Sequence, residues 1–235
     1  MFKYGFIMAG GQGKRLRPLT SAIPKPLLPV GDKPIIQLII EHMKEFGIVD
    51  IFVSVNYKKE IVKSFLRDGS RYGVSITYIE EIERTGTAGS LSLLPDDFDD
   101  KIIVSNGDLI CDVDYGVIND LLREYDLVLT GIERKIPVDF GVLKTNGTPE
   151  LIDWEEKPNL QYIINGGIYG ISEKVVTYIK NNIPKHQYID MPTLWGMMKD
   201  NGMKLAVHVH NGSWHDVGRM EDYMALTERG EEIDH

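Results

Sequence analysis

Apolar positions fall in short runs that alternate with stretches of helical spacing. Residues 4–10 (YGFIMAG) are a nearly unbroken apolar run and predict a buried strand, followed by the loop GQGKRLRPLTSAIPKPLLPVGDKP. Residues 35–47 (IIQLIIEHMKEFG) carry apolar side chains every three or four positions and end on Gly47, which predicts a helix with a glycine stop. The alternation continues with a strand over 49–56, a helix over 58–69, a strand over 74–80 and a short helix over 87–94. A buried strand over 101–108 ends in a carboxylate, and a helix over 115–125 and a strand over 126–133 follow. Strands alternating with helices predict an α/β fold, Rossmann-like and doubly wound, with a mostly parallel sheet covered on both faces.

After about residue 135 the pattern changes. FGVLKTNG (140–147), TPELIDWEEKP (148–158) and QYIINGGIYGI (161–171) read as strands joined by turns, with TNG as a hairpin. A helix follows from Glu173, another over 190–201, then a strand over 204–210 and a final helix from about Arg219. The methionines at 191, 197, 198 and 203 read as core residues. No internal repeat, low-complexity tract or linker interrupts the chain. Residues 1–235 are therefore expected to form a single domain, with a main part over 1–135, a smaller lobe over 136–218 and a C-terminal helix over 219–235.

Composition narrows the class. A chain of 235 residues that is 43% hydrophobic and 26% charged is ordinary for a globular domain and excludes disorder. The single cysteine, Cys111, cannot form an intramolecular disulfide and points to a reducing cytoplasm. No stretch reaches the roughly eighteen apolar residues of a membrane span, and the N-terminus lacks the order of a signal peptide. A net charge of −9 disfavours nucleic acid, whose phosphates select basic surfaces. Residues 1–33 nevertheless hold six basic side chains (Lys3, Lys14, Arg15, Arg17, Lys25, Lys33) against one acidic, Asp32. A cationic patch on an acidic chain suits a small polyanion such as a nucleoside triphosphate.

The first loop carries the chemistry. Glycines directly after a strand let backbone N–H groups approach a phosphate where a side chain would block them. The dinucleotide fingerprint fails, because Leu16 stands in the place of its third glycine, and the P-loop fails because Arg15 follows Lys14. Pro24, Pro26 and Pro29 stiffen the segment around Lys25. A rigid lysine beside a glycine loop that also carries Arg15 looks built to hold triphosphate oxygens.

The arrangement GGxGxRLxPLT…PKPLLPVGDKP resembles the signature of the sugar-1-phosphate nucleotidyltransferases, which activate glucose 1-phosphate, mannose 1-phosphate and related sugars. The likeness runs from Ala9 to about Gly218 and is to the short form without a β-helix domain. It implies that Ala9, Gly10, Gly11 and Gly13 wrap the phosphates, that Arg15 is the catalytic arginine and that Lys25 neutralises phosphate charge. It also implies that residues 1–135 serve mainly the nucleotide and 136–218 mainly the sugar.

Asp108 ends a buried strand, where ligands of open α/β sheets bind, and its carboxylate suits Mg²⁺. The resemblance pairs it with Asp216 of WHDVG as metal ligands; the sequence alone does not show that they meet. By the same resemblance Lys157 of EEKP holds the sugar phosphate and Glu156 accepts from sugar hydroxyls, while Asn165 and Gly167 of NGGIYG and Gly141 line the sugar. The segment YIEEIERTGTAGSL resembles the family's base-reading segment, and aligning its glycine on Gly86 puts Glu81 against the base with Thr87 nearby. A carboxylate can take both N1–H and the 2-amino group of guanine but meets two acceptors on uracil, which favours GTP over UTP or dTTP. His208 and His210 alternate on one strand face and match no zinc spacing. They are expected to be solvated, and Cys111 to be a buried small hydrophobe.

The implied reaction is in-line attack of a sugar 1-phosphate oxygen on the α-phosphorus, with pyrophosphate leaving and Mg²⁺ bridging the phosphates. The phosphate nucleophile is already ionised, so no general base is needed. Two other classes fit less well. A regulatory subunit would be expected to lack Arg15, Lys25, Asp108 or Asp216, and a nicotinamide oxidoreductase would need an acidic residue where Asn56 ends the second strand. An oligomer is possible.

Overall fold

The computed structural model describes residues 1–233. In chain order its elements are β1 (Tyr4–Met8), α1 (Leu19–Ala22), β2 (Pro29–Val30), β3 (Lys33–Pro34), α2 (Ile35–Glu45), β4 (Asp50–Val55) and α3 (Lys59–Leu66). Then come β5 (Ser75–Glu80), α4 (Gly86–Gly89), β6 (Ile102–Asn106), β7 (Leu109–Cys111), α5 (Tyr115–Leu121), β8 (Leu127–Pro137), β9 (Val142–Lys144) and β10 (Asp153–Glu155). The chain ends with β11 (Asn159–Ile171), α6 (Glu173–Asn182), α7 (Met191–Asp200), β12 (Leu205–His210), β13 (Trp214–Asp216) and α8 (Met220–Ile233). The last two residues of the helix expected over 219–235 lie outside the described residues.

Seven strands form one sheet in the order β12–β8–β11–β6–β1–β4–β5. All its pairings are parallel except those of β11 with β6 and β8, so β11 alone runs against the rest. The sheet is mostly parallel and Rossmann-like. Its strands are continuously apolar because both faces are covered. Phe6, Phe52, Val104, Leu129 and Tyr169 pack with α6 and α7 on one face. Their chain neighbours Ile7, Val53, Ile103, Val128 and Ile168 pack with α2, α3 and α5 on the other. Of the four methionines expected in the core, Met191 and Met198 are buried and Met197 and Met203 pack against them.

Local signals set the helix ends. Gly47, at φ +75°, lets the Ile48 N–H donate back to the Met43 carbonyl at 3.1 Å, which stops α2. The Asp114 carboxylate caps α5 by accepting from the Gly116 and Val117 N–H groups.

The second half departs from expectation in three places. β8 runs on to Pro137, with its last five residues exposed, and pairs with β11 to form an arm beyond the core. The strands expected over 140–147 and 148–158 shrink to β9 and β10. TNG lies in the loop over 145–152 and forms no tight turn. There Asn146 accepts from the Thr148 N–H and Thr148 from the Glu150 N–H, so side chains take backbone donors that a ladder would use. The pairing of β7 with β13 is three residues long and has no periodic signature, yet it assembles the site. No helix among the described residues is long and apolar enough to cross a membrane.

Candidate functional site

The carboxyl ends of β1, β4 and β6 converge, with Met8 opposite both Ser54 and Asn106. The chain leaving β1 is tied to both neighbours: the Ala9 N–H donates to the Ser54 carbonyl at 3.0 Å, and the Gly107 N–H to the Met8 carbonyl at 2.9 Å. A Cβ on Gly107 would lie 2.6 Å from that Met8 oxygen, so only glycine lets these backbones cross so closely. Gly13 sits at φ +58° with its carbonyl accepting from Thr20 Oγ1 at 2.8 Å, and Thr20 is buried. That bond folds the loop back on itself and presents Arg15 on its exposed side.

Lys25 lies in a single 3₁₀ turn, Lys25–Leu27, between Pro24 and Pro26, and is buried. Its Nζ forms an ion pair with Asp108 Oδ2. Asp108 stands in the turn after β6. The β7–β13 ladder sets Asp216 opposite Leu109, and the Val217 N–H donates to the Asp108 carbonyl at 3.0 Å. Two carboxylates far apart in sequence are thus neighbours. Burial raises the Asp216 pKa above the ordinary carboxylate value and the Asp108 charge adds to that, while Lys25 and Arg15 oppose it.

An open cleft of roughly 280 Å³ runs from Asp108 across the sheet ends. Of the residues proposed from sequence, Gly10, Gly11, Glu81, Gly86, Thr87 and Asp108 line it. Glu81 does not point to solvent: it is buried, and its Oε2 accepts from the Thr85 N–H at 3.2 Å and Thr85 Oγ1 at 2.6 Å. Oε1 lies next to Gly10. Sequence reasoning missed three further lining residues, Arg84, Tyr188 and Asp190. Asp190 Oδ1 accepts from the Thr87 N–H at 3.3 Å, and its Oδ2 accepts from the Tyr188 hydroxyl at 3.1 Å. The only sequence signal for Asp190 is a helix-start aspartate before Met-Pro. Ser90 Oγ and Asn106 Oδ1, both buried at this cleft, have no partner among the described residues.

The residues expected at the sugar separate into two groups. Asn165 and Gly167 lie in a bulge of β11, where a Cβ on Gly167 (φ +74°) would meet Asn106 Nδ2 at 2.6 Å. They therefore adjoin the end of β6. Gly141 and Glu156 adjoin each other on the β9–β10 ribbon, a Cβ on Gly141 meeting Glu156 Oε2 at 2.9 Å. Glu156 and Lys157 are exposed and do not line the cleft. The histidine expectation needs correcting: the His210 side chain is only 9% exposed, and its Nε2 lies 2.9 Å from Asp112 Oδ1. The β13 turn covers it. His208 is partly buried, which lowers its pKa. Cys111 is half-buried, and burial pushes its thiol up to about 11, which disfavours the thiolate. Among the described residues no group of three or more His, Cys, Asp or Glu forms a metal site by itself.

A glycine-lined cleft at the carboxyl ends of a mostly parallel sheet, with Asp108 of a lysine–carboxylate cluster among its lining residues, lies where open α/β proteins bind their ligands. The nucleotidyl transferase family model matches residues 4–232, and the chain belongs to that family. It is 31% identical to a UTP–glucose-1-phosphate uridylyltransferase of Synechocystis sp., over 92% of this chain and 60% of that protein. It is 34% identical to a mannose-1-phosphate guanyltransferase of Candida albicans, over 95% of this chain and 63% of that one. The chain thus spans about three fifths of the length of these curated relatives. A solved structure assigned as a glucose-1-phosphate thymidylyltransferase of Bacillus anthracis superposes with a TM-score of 0.76 at 29% identity. That match covers 99% of this chain and 96% of that one.

Proposed function

We propose that this chain transfers a nucleotidyl group from a nucleoside triphosphate to a sugar 1-phosphate, forming a nucleotide-sugar and pyrophosphate, with GTP as the favoured nucleotide. The observation that carries this reading is the meeting of Lys25, Asp108 and Asp216, with Asp108 lining the same cleft as Gly10 and Gly11. A sugar phosphate oxygen bonds to the α-phosphorus as the bond to the β-phosphate oxygen breaks, and pyrophosphate carries the electron pair away. Both reactants are anions, so cations and alignment matter more than a base. Lys25 and Arg15 offset charge on the triphosphate, and the Gly10–Gly13 loop lets phosphates reach backbone donors. The domain division is part of the same reading, 1–135 serving mainly the nucleotide and 136–218 mainly the sugar, although Tyr188 and Asp190 also line the first cleft.

The donor set fits Mg²⁺. Asp108 and Asp216 offer hard carboxylate oxygens, burial and the nearby Asp108 charge make the Asp216 carboxylate costly to ionise without a cation, and substrate phosphates and water would complete the coordination. When bound there, Mg²⁺ would supply charge neutralisation shared between the two phosphates. Partners are small molecules, without nucleic acid or membrane, and the setting is cytoplasmic.

Glu81 supports GTP in a narrower way than its side-chain chemistry suggests. Thr85 occupies Oε2 twice, which leaves Oε1 for the guanine donors and fixes its direction. Uracil or thymine would turn acceptors toward the same charge. Pyrophosphate release measured across GTP, UTP, dTTP, CTP and ATP against a panel of sugar 1-phosphates, with and without Mg²⁺, tests the proposal. Release from no combination would end it, and a preference for UTP or dTTP would end the GTP assignment.

A further inference from the structure

α1 (Leu19–Ala22) is a single turn, and it follows the turn Lys14–Leu16 that carries Arg15. A helix this short leaves its carbonyls without helical partners. The Leu19 carbonyl accepts from the Ile23 N–H at 3.1 Å. The carbonyls of Thr20, Ser21 and Ala22 are all taken by one dipeptide just past the end of β4. The Tyr57 hydroxyl donates to the Thr20 carbonyl at 3.3 Å, and Lys58 Nζ donates to those of Ser21 and, at 2.8 Å, Ala22. The other backbone bonds here run within the loop itself, from Leu16 to Gly13, Arg17 to Lys14 and Ser21 to Pro18.

Lys58 is a poor residue for its own position. It stands at the start of α3 with φ +53° and makes no side-chain hydrogen bond to that helix. A left-handed backbone favours glycine or asparagine, and a helix start favours Ser, Thr, Asp or Asn. Strain of this kind persists where contacts elsewhere over-determine it. The contacts of Lys58 are with α1.

Thr20 carries the effect to the chemistry. It is buried, its Oγ1 donates to the Gly13 carbonyl at 2.8 Å, and a Cβ on Gly13 would meet Thr20 Cγ2 at 2.8 Å and Lys25 Cβ at 3.1 Å. Thr20 thus braces the place where Gly13, which begins the Arg15 turn, passes Lys25. Arg15 is close enough for its charge to act on Asp216, as Lys25 also does. Displacing α1 would displace both cations.

We propose that Lys58, assisted by Tyr57, is a latch that holds α1 against the end of β4, and so a positioning residue that sets Arg15 and Lys25 against the triphosphate. The positioning role rests on the proposed nucleotidyl transfer, whereas the latch is a property of the fold.

Lys58→Asn shortens the side chain beyond reach of α1 while giving α3 a residue suited to its backbone and its helix start, and Lys58→Arg keeps reach and charge. Both are compared with the wild-type chain by trypsin cleavage after Lys14 and Arg15 under native conditions and by thermal melting. Steady-state kinetics use the nucleoside triphosphate and sugar 1-phosphate that give the fastest pyrophosphate release. Loss of the Lys58 bonds at a partly exposed site should speed cleavage of Lys58→Asn about 3- to 30-fold, with melting at or above wild type. The triphosphate kcat/KM should fall by a similar factor while the sugar 1-phosphate KM stays within about twofold, and Lys58→Arg should recover most of the loss. A merely structural lysine predicts a better-started α3 and unchanged cleavage. Wild-type cleavage in Lys58→Asn would overturn the latch, as would faster cleavage matched by a lower melting temperature. Faster cleavage with unchanged kcat/KM would overturn the positioning role. A wild-type chain that releases no pyrophosphate would sink the nucleotidyl transfer and the positioning role with it, while the cleavage rates would still decide the latch.

Discussion

Gly10→Ala is the sharpest test of how the first cleft is built. A Cβ placed on Gly10 would lie 2.7 Å from Glu81 Oε1 and 3.4 Å from Asn56 Cβ. That is about half an ångström inside an ordinary carbon–oxygen contact of roughly 3.3 Å. A carboxylate at the end of a free side chain would swing away at little cost, but this one is clamped. Its Oε2 accepts two hydrogen bonds from fully buried Thr85, and the Glu81 carbonyl accepts from Asn56 Nδ2 at 2.8 Å. Retreat therefore strains or breaks hydrogen bonds to a charged group worth about 1.5–3 kcal/mol each. The alternative is that the loop moves into the cleft. The expected outcome is a loss of about 1–3 kcal/mol in urea unfolding together with a nucleotide KM raised about tenfold or more. Gly11→Ala is the internal control, since nothing lies within 4 Å of its Cβ. It should leave the unfolding midpoint within about 0.5 kcal/mol of wild type and act only on nucleotide KM. A Gly10→Ala chain with wild-type unfolding and wild-type nucleotide KM would show that the Glu81 carboxylate is not fixed, and would remove the basis for assigning it a base-reading direction.

Asp216→Asn tests the metal pair through stability as well as rate. The folded-state pKa of Asp216 is raised, so its contribution is favourable below the unfolded carboxylate pKa and is lost as pH rises through the raised value. The Asn variant should therefore melt above wild type at pH 7, with the difference closing toward acid, while Mg²⁺-dependent pyrophosphate release falls by orders of magnitude; a lower melting temperature at pH 7 contradicts the raised Asp216 pKa. Arg15→Lys keeps the charge and loses the planar fork, so kcat should fall more than nucleotide KM rises, and an effect confined to KM would make Arg15 a binding residue only. Glu81→Gln should narrow the GTP preference over UTP in competition assays, and an unchanged ratio would take Glu81 out of base selection.

The parallel half of the sheet was legible because each buried strand is a continuous apolar run and each helix has its own spacing and stop, as with Ile35–Glu45 closed by Gly47. Gly10, Gly11 and Asp108 stand out in the sequence because they follow buried strands, and Lys25 because prolines flank it; the phosphate roles expected of them belong to the proposal. The meeting of Asp108 with Asp216 was not legible, because it depends on a three-residue ladder between β7 and β13 whose partners lie a hundred residues apart. Tyr188 and Asp190 were missed for a similar reason. Asp190 looks like a helix cap in sequence, and only the fold carries it across to the Thr87 N–H. The arm was misread because exposed strands lack the one-sided apolar pattern that marks strand ends. Ile136, Leu143 and Trp154 are all half or more exposed, so the segment over 132–163 has an apolar content that suggests more buried strand than it forms.

The electrostatic arrangement of the ligand-free chain follows from these same contacts. Burial raises the Asp216 pKa, and the charge of the neighbouring Asp108 adds to that cost. Lys25 offsets it from a turn rigidified by Pro24 and Pro26, so the cation sits on Asp108 before any substrate arrives. A loop of solvated lysines would have to lose side-chain freedom at each binding event, at about 1.5–2 kcal/mol apiece. Here that ordering is built into the fold, where Lys25 is already paired with Asp108. The prolines around Lys25, the glycine crossing at Met8 and Gly107, and the short β7–β13 ladder thus serve one end: they hold one cation and two like charges close together in the ligand-free fold.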